Sequence, residues 1–273
     1  MLMLLTNNYY CYYSSLLLFI VLKGRMYPIG LVRVLTYLSD TAVIERIIKV
    51  SLIINHFSLF VMQSPSSLAR LIWITPDAEQ QIEYCARVSN PKGQDKVDTT
   101  GKLLRYLVLH KHWSPFEMAS CCVEISTTRD ISAQILRHRS FSFQEFSQRY
   151  AEVQLRPELP EMRRQDLTNK QNSIDDLPLE VLAECDKLVG QAFVTSYRAY
   201  DRLLELGVAK ECARKVLPLN SPTRLYMSGT IRSWIHYLSV RRGPETQLEH
   251  RLIADEIKNI LNKQMPNLWE VLT

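Results

Sequence analysis

Arg137-His138-Arg139-Ser140-Phe141-Ser142-Phe143-Gln144-Glu145-Phe146-Ser147-Gln148-Arg149-Tyr150 is the stretch from which the rest of the chain can be read. Three cationic or titratable side chains come first, then a Ser/Phe-rich run, then Glu145, Ser147, Arg149 and Tyr150. In an extended segment side chains alternate between two faces. That spacing puts Glu145, Ser147 and Arg149 on one face and Phe146, Gln148 and Tyr150 on the other. A carboxylate, a hydroxyl and a guanidinium together can hydrogen-bond a heterocycle and a phosphate. An Arg-His-Arg triplet alone is ordinarily a solvated basic turn. Residues 145–150 are not covered by that explanation.

Upstream, residues 120–126 alternate with Cys121, Val123 and Ile125 on one side and Cys122, Glu124 and Ser126 on the other, which predicts a half-buried strand. Thr127-Thr128 leads into a helix carrying Ile131, Ile135 and Leu136. Arg137, His138 and Arg139 fall at its C-terminal end, where the helix dipole favours cations, and Gln134 lies one turn earlier. Further back, residues 68–75 read as a strand, with Thr75 and Pro76 opening a helix that runs to about Val88. Thr99 or Thr100 starts another, with Leu103, Leu104, Leu107 and Val108 on one face. His110 and His112 are spaced as metal ligands could be, but the nearest carboxylate is poorly placed and no metal site is expected.

Downstream, residues 152–178 are rich in proline, charge and amides and read as an exposed connection. A long helix over 178–206 carries an apolar stripe that includes Phe193, Tyr197 and Tyr200, and Gly207 ends it. A short helix bearing Arg214, a turn at 220–223 and a strand over 224–229 follow. Thr230 caps a helix reaching Arg241-Arg242, Gly243-Pro244 breaks it, and a last helix spans 245–263. The pattern is that of one α+β domain.

The chain has 273 residues and a net charge of +5, which suits small anions without demanding nucleic acid. Its six cysteines include no Cys-x-x-Cys pair, so a zinc ribbon or redox dithiol is unsupported and reduced thiols in the cytoplasm are expected. Residues 1–61 differ from the rest. Their apolar run at 16–22 is shorter than the ~20 residues a spanning helix needs, and Lys23 and Arg25 follow it where a signal peptide would have them precede it. The expected division is an atypical extension over 1–61, disordered or from an overlong gene with Met62 as the start, and a working domain over 62–273.

The run from Arg137 to Tyr150 resembles the signature of the flavin-dependent thymidylate synthases, Arg-His-Arg-x-x-Ser-x-Asn-Glu-x-Ser-x-Arg-Tyr, with Gln144 in place of Asn. His112-Trp113-Ser114-Pro115-Phe116-Glu117 resembles the family's flavin-side loop. Ala213-Arg214, Arg232-Ser233 and Arg241 followed by Gln247 and Glu249 keep the family's order, so the likeness covers residues 62–272. The resemblance implies a thymidylate-synthase-complementing-type domain, a small antiparallel sheet flanked by helices. It also implies a homotetramer with sites shared between subunits.

FAD would be held by Ser114, Arg137, His138, Arg139, Glu145, Thr230, Ile231, Arg232 and His236, the family often having Asn at the Thr230 and His236 positions. dUMP would be held by Gln134, Arg137, Glu145, Ser147, Gln148 (through its backbone), Arg149, Arg214 and Arg241. The activity implied is reductive methylation of dUMP to dTMP with methylenetetrahydrofolate as carbon donor, FAD as redox cofactor and NADPH as its reductant. Arg241 would be catalytic, stabilising a uracil deprotonated at N3, while Ser147 binds without forming a covalent bond. No motif assigns NADPH or folate contacts. The rival reading is a nucleic-acid-binding module in which Arg137, Arg139 and Arg149 contact phosphates and Phe141, Phe143 and Tyr150 stack bases. The sequence pI of about 8.8, with acids interleaved among the bases, weighs against it. A structural or membrane-anchored protein is a third reading that rests only on residues 1–61, and no membrane partner is expected.

Overall fold

A computed structural model of the chain describes residues 16–22, 25–32, 68–96 and 101–272. They fall in two units, Met1–Gln63 and Ser64–Thr273. In the first, β1 (Leu16–Leu22) pairs antiparallel with β2 (Arg25–Val32), with a register shift between Leu17 and Phe19. The remaining expectations for residues 1–61 lie outside the described residues.

The second unit begins with β3 (Ala69–Ile74), α1 (Ala78–Ala86), α2 (Lys102–Leu109) and β4 (Ser120–Thr128). It continues through α3 (Arg129–Ile135), β5 (Ser142–Glu145), the two-residue strands β6 (Arg164–Gln165) and β7 (Ser173–Ile174), and α4 (Leu179–Glu205). α5 (Lys210–Ala213), β8 (Pro222–Thr230), α6 (Ile231–Arg241), α7 (Leu248–Gln264) and α8 (Pro266–Leu272) complete it. Four strands form one antiparallel sheet in the order β3-β4-β8-β5.

The alternation read in residues 120–126 sets the two faces of this sheet. Cys121, Val123 and Ile125 of β4 and Leu225 and Met227 of β8 are fully buried. They belong to the main core with Trp234 and Tyr237 of α6 and Ile253, Ile257 and Leu261 of α7. On the opposite face, Arg70 donates to Glu124 at 3.2 Å, and Glu124 also holds Tyr226, its cross-strand neighbour on β8. This is the division of a sheet with one buried and one wet face. The register shifts between Leu71 and Trp73, and Trp73 stays 47% exposed at the bulge.

Several boundaries depart from the sequence expectations. Thr75 does not cap α1: its Oγ1 accepts from Ser120 N at 2.9 Å and donates to Ser120 O, which ties the ends of β3 and β4 together. Asp77, in the left-handed region at φ 48°, takes the N-cap position instead. Residues 97–100, where Thr99 or Thr100 was expected to open a helix, lie outside the described residues; α2 starts after Gly101, at φ 64°. The last helix breaks at Met265 into α7 and α8, and Glu79 of α1 accepts from Leu268 N and Asn267 Nδ2, each at 2.8 Å. The connection over 152–178 is also less free than its composition implies. Val153 is buried, Arg156 makes a forked pair with Asp201 of α4 at 2.8 and 2.9 Å, and its guanidinium lies 4.5 Å from the Tyr197 ring centre.

Candidate active site

α6 is the element around which the site is built. Thr230 ends β8 in extended geometry and its Oγ1 accepts from Ser233 N, so it caps α6 as the sequence implied. Ser233 Oγ in turn donates to Ser140 O at 3.2 Å, which fastens the loop after the Arg-His-Arg triplet to the start of α6. Ile231 N donates to Ala119 O at 2.9 Å. Arg232 pairs with Glu117 in the 3-10 turn Ser114–Glu117. The segments expected to touch flavin, Ser114 and 230–232, are therefore brought together.

Tyr237 follows Ser233 by four residues and Arg241 follows Tyr237 by four, so the three share one stripe of α6. At the far end of the stripe, Arg241 Nε donates to His138 Nε2 at 2.7 Å. Because Nε2 accepts, His138 is neutral with its proton on Nδ1. Burial pushes its pKa down to about 4, and Arg241, His236 and Arg137 add to the effect. Nearby, Gln134 Nε2 donates to Gln247 Oε1 at 2.7 Å. Arg137 and Arg139 flank His138 and are exposed. His236 is exposed on α6 and Arg137 and His236 both act on the His138 charge.

The extended-face reading of residues 145–149 fails at its midpoint. β5 ends at Glu145, and Tyr150 N and Ala151 N both donate to Ser147 O, which folds residues 147–151 into a helical turn. Glu145, Ser147 and Arg149 therefore do not share a strand face. Glu145 turns inward: its Oε1 accepts from Ser132 Oγ at 2.7 Å and Thr223 Oγ1 at 3.0 Å, and its Oε2 pairs with Arg129 at 2.6 Å. Through these three partners the carboxylate braces α3 against β8, with one acceptor position on Oε2 still open. Gln148 is buried, and its Nε2 has no hydrogen-bond partner among the described residues.

Ser147 and Arg149 line an open cleft of about 680 Å³ with Tyr150, Glu152 and residues 207–211. Across it Arg149 pairs with Glu211 at 3.2 Å. Arg214 begins the 3-10 turn Arg214–Val216, three residues after Glu211. The expected dUMP residues thus form two groups within one chain. Ser147 and Arg149 line the cleft, with Arg214 on the turn that follows its wall residue Glu211; Gln134, Arg137 and Arg241 lie by α6, and Glu145 and Gln148 turn inward. Phe141 is buried, with its ring 4.8 Å from that of Trp234, and Phe143 packs against the core. Two of the three aromatics that a nucleic-acid module would use for stacking are therefore structural.

Some contributors were not singled out from sequence. Glu117, Ser132, Thr223 and Glu211 each hold an expected site residue, and their partners are 13 to 115 positions away. Only the four-residue spacing Ser233-Tyr237-Arg241 was a local signal. Among the described residues no group of three metal-ligating side chains occurs, and no helix is long and apolar enough to cross a membrane.

A family model described as thymidylate synthase complementing protein matches residues 70–267. The chain belongs to this family. Among its relatives in the thymidylate synthase complementing family, a probable flavin-dependent thymidylate synthase of Paramecium bursaria Chlorella virus 1 is 49% identical over 199 residues, 71% of this chain and 90% of the relative. The flavin-dependent thymidylate synthase of Synechocystis sp. is 48% identical over 194 residues, 71% and 89% of the two chains. A crystal structure of the UMP/dUMP methylase PolB from Streptomyces cacaoi, bound with 5-Br dUMP, superposes with a TM-score of 0.67 at 26% identity. It covers 74% of this chain and 93% of that one. The family match spans every expected site residue, from Ser114 to Arg241.

Proposed function

We propose that the chain converts dUMP to dTMP in the cytoplasm, taking a one-carbon unit from methylenetetrahydrofolate and electrons from NADPH by way of FAD. The observation that carries this reading is the Arg241–His138 contact at the end of α6, inside the matched family region. His138 occupies Nε, which leaves the Nη groups of Arg241 as a forked donor for a carbonyl and an adjacent ring nitrogen. A fixed guanidinium beside a pyrimidine lowers the cost of negative charge at N3 and so raises electron density at C5. The 5-Br dUMP on the structural relative is a pyrimidine nucleotide of the same class.

The donor set also fits FAD. Arg139, next to the Ser140 that is tied to Ser233, and Arg232, paired with Glu117, are exposed cations near a capped helix start, a combination suited to a diphosphate, and Arg137 lies further along by His138. Bound there, the flavin supplies the redox chemistry; the protein binds, orients and balances charge. Arg149 and Arg214, with Ser147, would hold the nucleotide phosphate and sugar from the cleft. In the homotetramer that we propose, the cleft group of one subunit and the Arg241 group of another complete a shared site.

The test is a visible spectrum of the purified protein. Flavin bands that bleach on NADPH, and dTMP formed on adding dUMP and methylenetetrahydrofolate, are the expected result. A colourless protein that takes up no FAD would sink the reading. Arg241→Ala should keep its flavin spectrum and lose turnover by at least ~100-fold, the scale for removing a transition-state donor. Turnover near that of wild type would refute the assignment of Arg241.

A further inference from the structure

His250 lies on α7, is fully buried, and faces Tyr237 of α6 with Tyr237 Oη to His250 Nε2 at 3.0 Å. Its neighbours on α7 are the core residues Ile253, Ala254 and Ile257. The His250 Nδ1 atom is buried as well and has no partner among the described residues. With the proton on Nε2, His250 donates to Tyr237, which leaves the tyrosine proton and Nδ1 unused. With the proton on Nδ1, Tyr237 donates to Nε2, and a buried N–H has no acceptor. Either tautomer leaves a polar group unsatisfied where two apolar side chains of similar shape would leave none. A core position that retains a costly polar pair is often one that serves the site.

The pair sits directly behind the proposed site. The Tyr237 ring packs edge-on against His138, with ring centres 4.9 Å apart and planes at 75°. Phe141 and Trp234 close the other sides of Tyr237 at 6.0 and 5.7 Å. Arg241 is one helical turn beyond Tyr237 on the same stripe, and its charge is felt by both His138 and His250. The Tyr237–His250 bond thus joins α6 to α7 beneath Arg241, while the tyrosine ring backs the imidazole that receives the Arg241 Nε–H.

We propose that Tyr237 and His250 are positioning residues for Arg241: they fix the last turn of α6 against α7 and hold the His138 ring where it accepts from Arg241 Nε. The proposal rests on the catalytic reading of Arg241 given above. Neither Tyr237 nor His250 needs to touch substrate or flavin. Their contribution is angular, since a guanidinium free to rotate about its last bonds loses the alignment of its forked donors.

The test compares the full-length wild type with Tyr237→Phe and with Tyr237→Phe/His250→Leu. Each is taken through thermal unfolding, flavin content, kcat and KM for dUMP, and a crystal structure. Tyr237→Phe strands the His250 imidazole and should lower the melting temperature as well as turnover. The double variant removes both polar groups, so its melting temperature should return to that of wild type or above. Its kcat should nonetheless stay at least tenfold down, with flavin content unchanged and Arg241 Nε no longer on His138. A pair that serves packing alone predicts that kcat recovers together with the melting temperature. Turnover of the double variant within twofold of wild type, or an intact Arg241–His138 contact in its crystal, overturns the proposal. If the wild type itself forms no dTMP, the functional reading has failed. The crystal comparison then still decides whether the pair controls the Arg241–His138 contact.

Discussion

His138 can accept from Arg241 Nε only while neutral, and that makes it a gauge of the fold's response to acid. An imidazole in an unfolded chain titrates near 6.5. In the folded protein burial brings His138 down to about 4 and His250 down to about 3. Above pH 6.5 neither state binds a proton at these rings, so their stabilising contribution is complete. As pH falls below 6.5 the unfolded chain takes up protons that the folded chain refuses, and stability is lost progressively towards pH 4 and then pH 3. The melting temperature should therefore drop between pH 7 and pH 5. This window lies above that of the carboxylates held low by partners, such as Asp166 beneath Asn172 and Thr168. Tyr237→Phe/His250→Leu should show a shallower drop, since one of the two rings is gone. A slope unchanged by that substitution would mean that His250 is protonated in the folded state. A second prediction at this scale concerns Arg241→Lys. It keeps the charge but loses both the forked donors and the Nε–H to His138, and turnover should fall nearly as far as in the alanine variant.

Glycine 229 is the clearest case of an element shaped by one close approach. A Cβ at this position would lie 2.5 Å from Cδ1 and 2.7 Å from Cε1 of Phe141, distances no packed core accepts. β8 needs glycine there so that Phe141 can pass beneath the strand into the aromatic group with Trp234 and Tyr237. Gly229→Ala should cost about 1–3 kcal/mol by overpacking, measured by urea unfolding, and Phe141→Leu should restore part of it. Thr230→Ala should cost about 1 kcal/mol through the lost helix cap, and Thr230→Asn much less. These elements show what was legible beforehand. The strand at β4, the cap at Thr230 and the lengths of α4 and α6 followed from alternation, cap chemistry and apolar period. The turn at residues 147–151 did not, because period-2 alternation says nothing about where a strand stops. The inward fate of Glu145 was equally hidden, since Ser132, Thr223 and Arg129 come to it through tertiary packing. The shared strand face expected for Glu145, Ser147 and Arg149 is not formed: the carboxylate turns to Ser132, Thr223 and Arg129, and the other two line the cleft. Tyr237–His250 joins two helices across a break, and no local pattern marks it.

At the scale of the molecule, the unit Ser64–Thr273 carries the sheet, the main core and the whole family match. A chain starting at Met62 should unfold at the same temperature as the full chain and bind flavin equally well; a lower melting temperature would give residues 1–61 a structural role. The two groups of expected dUMP residues make a second prediction. If one site draws Arg149 from one subunit and Arg241 from another, mixed assemblies of Arg149→Ala and Arg241→Ala should recover activity at roughly one site in four. No recovery on co-expression would argue that each subunit works alone.

The pairing of β4 with β8 also governs how the chain is made. Ser120 meets Thr230 and Thr128 meets Pro222, so the central ladder joins residues 94 to 110 positions apart in sequence. During synthesis β3 and β4 leave the ribosome long before their partner does. Until Thr230 has emerged, β4 presents an open row of amides and carbonyls with Cys121, Val123 and Ile125 uncovered. The nascent chain therefore depends on being kept from its neighbours during that interval, and fragments ending before β8 are expected in inclusion bodies rather than in solution.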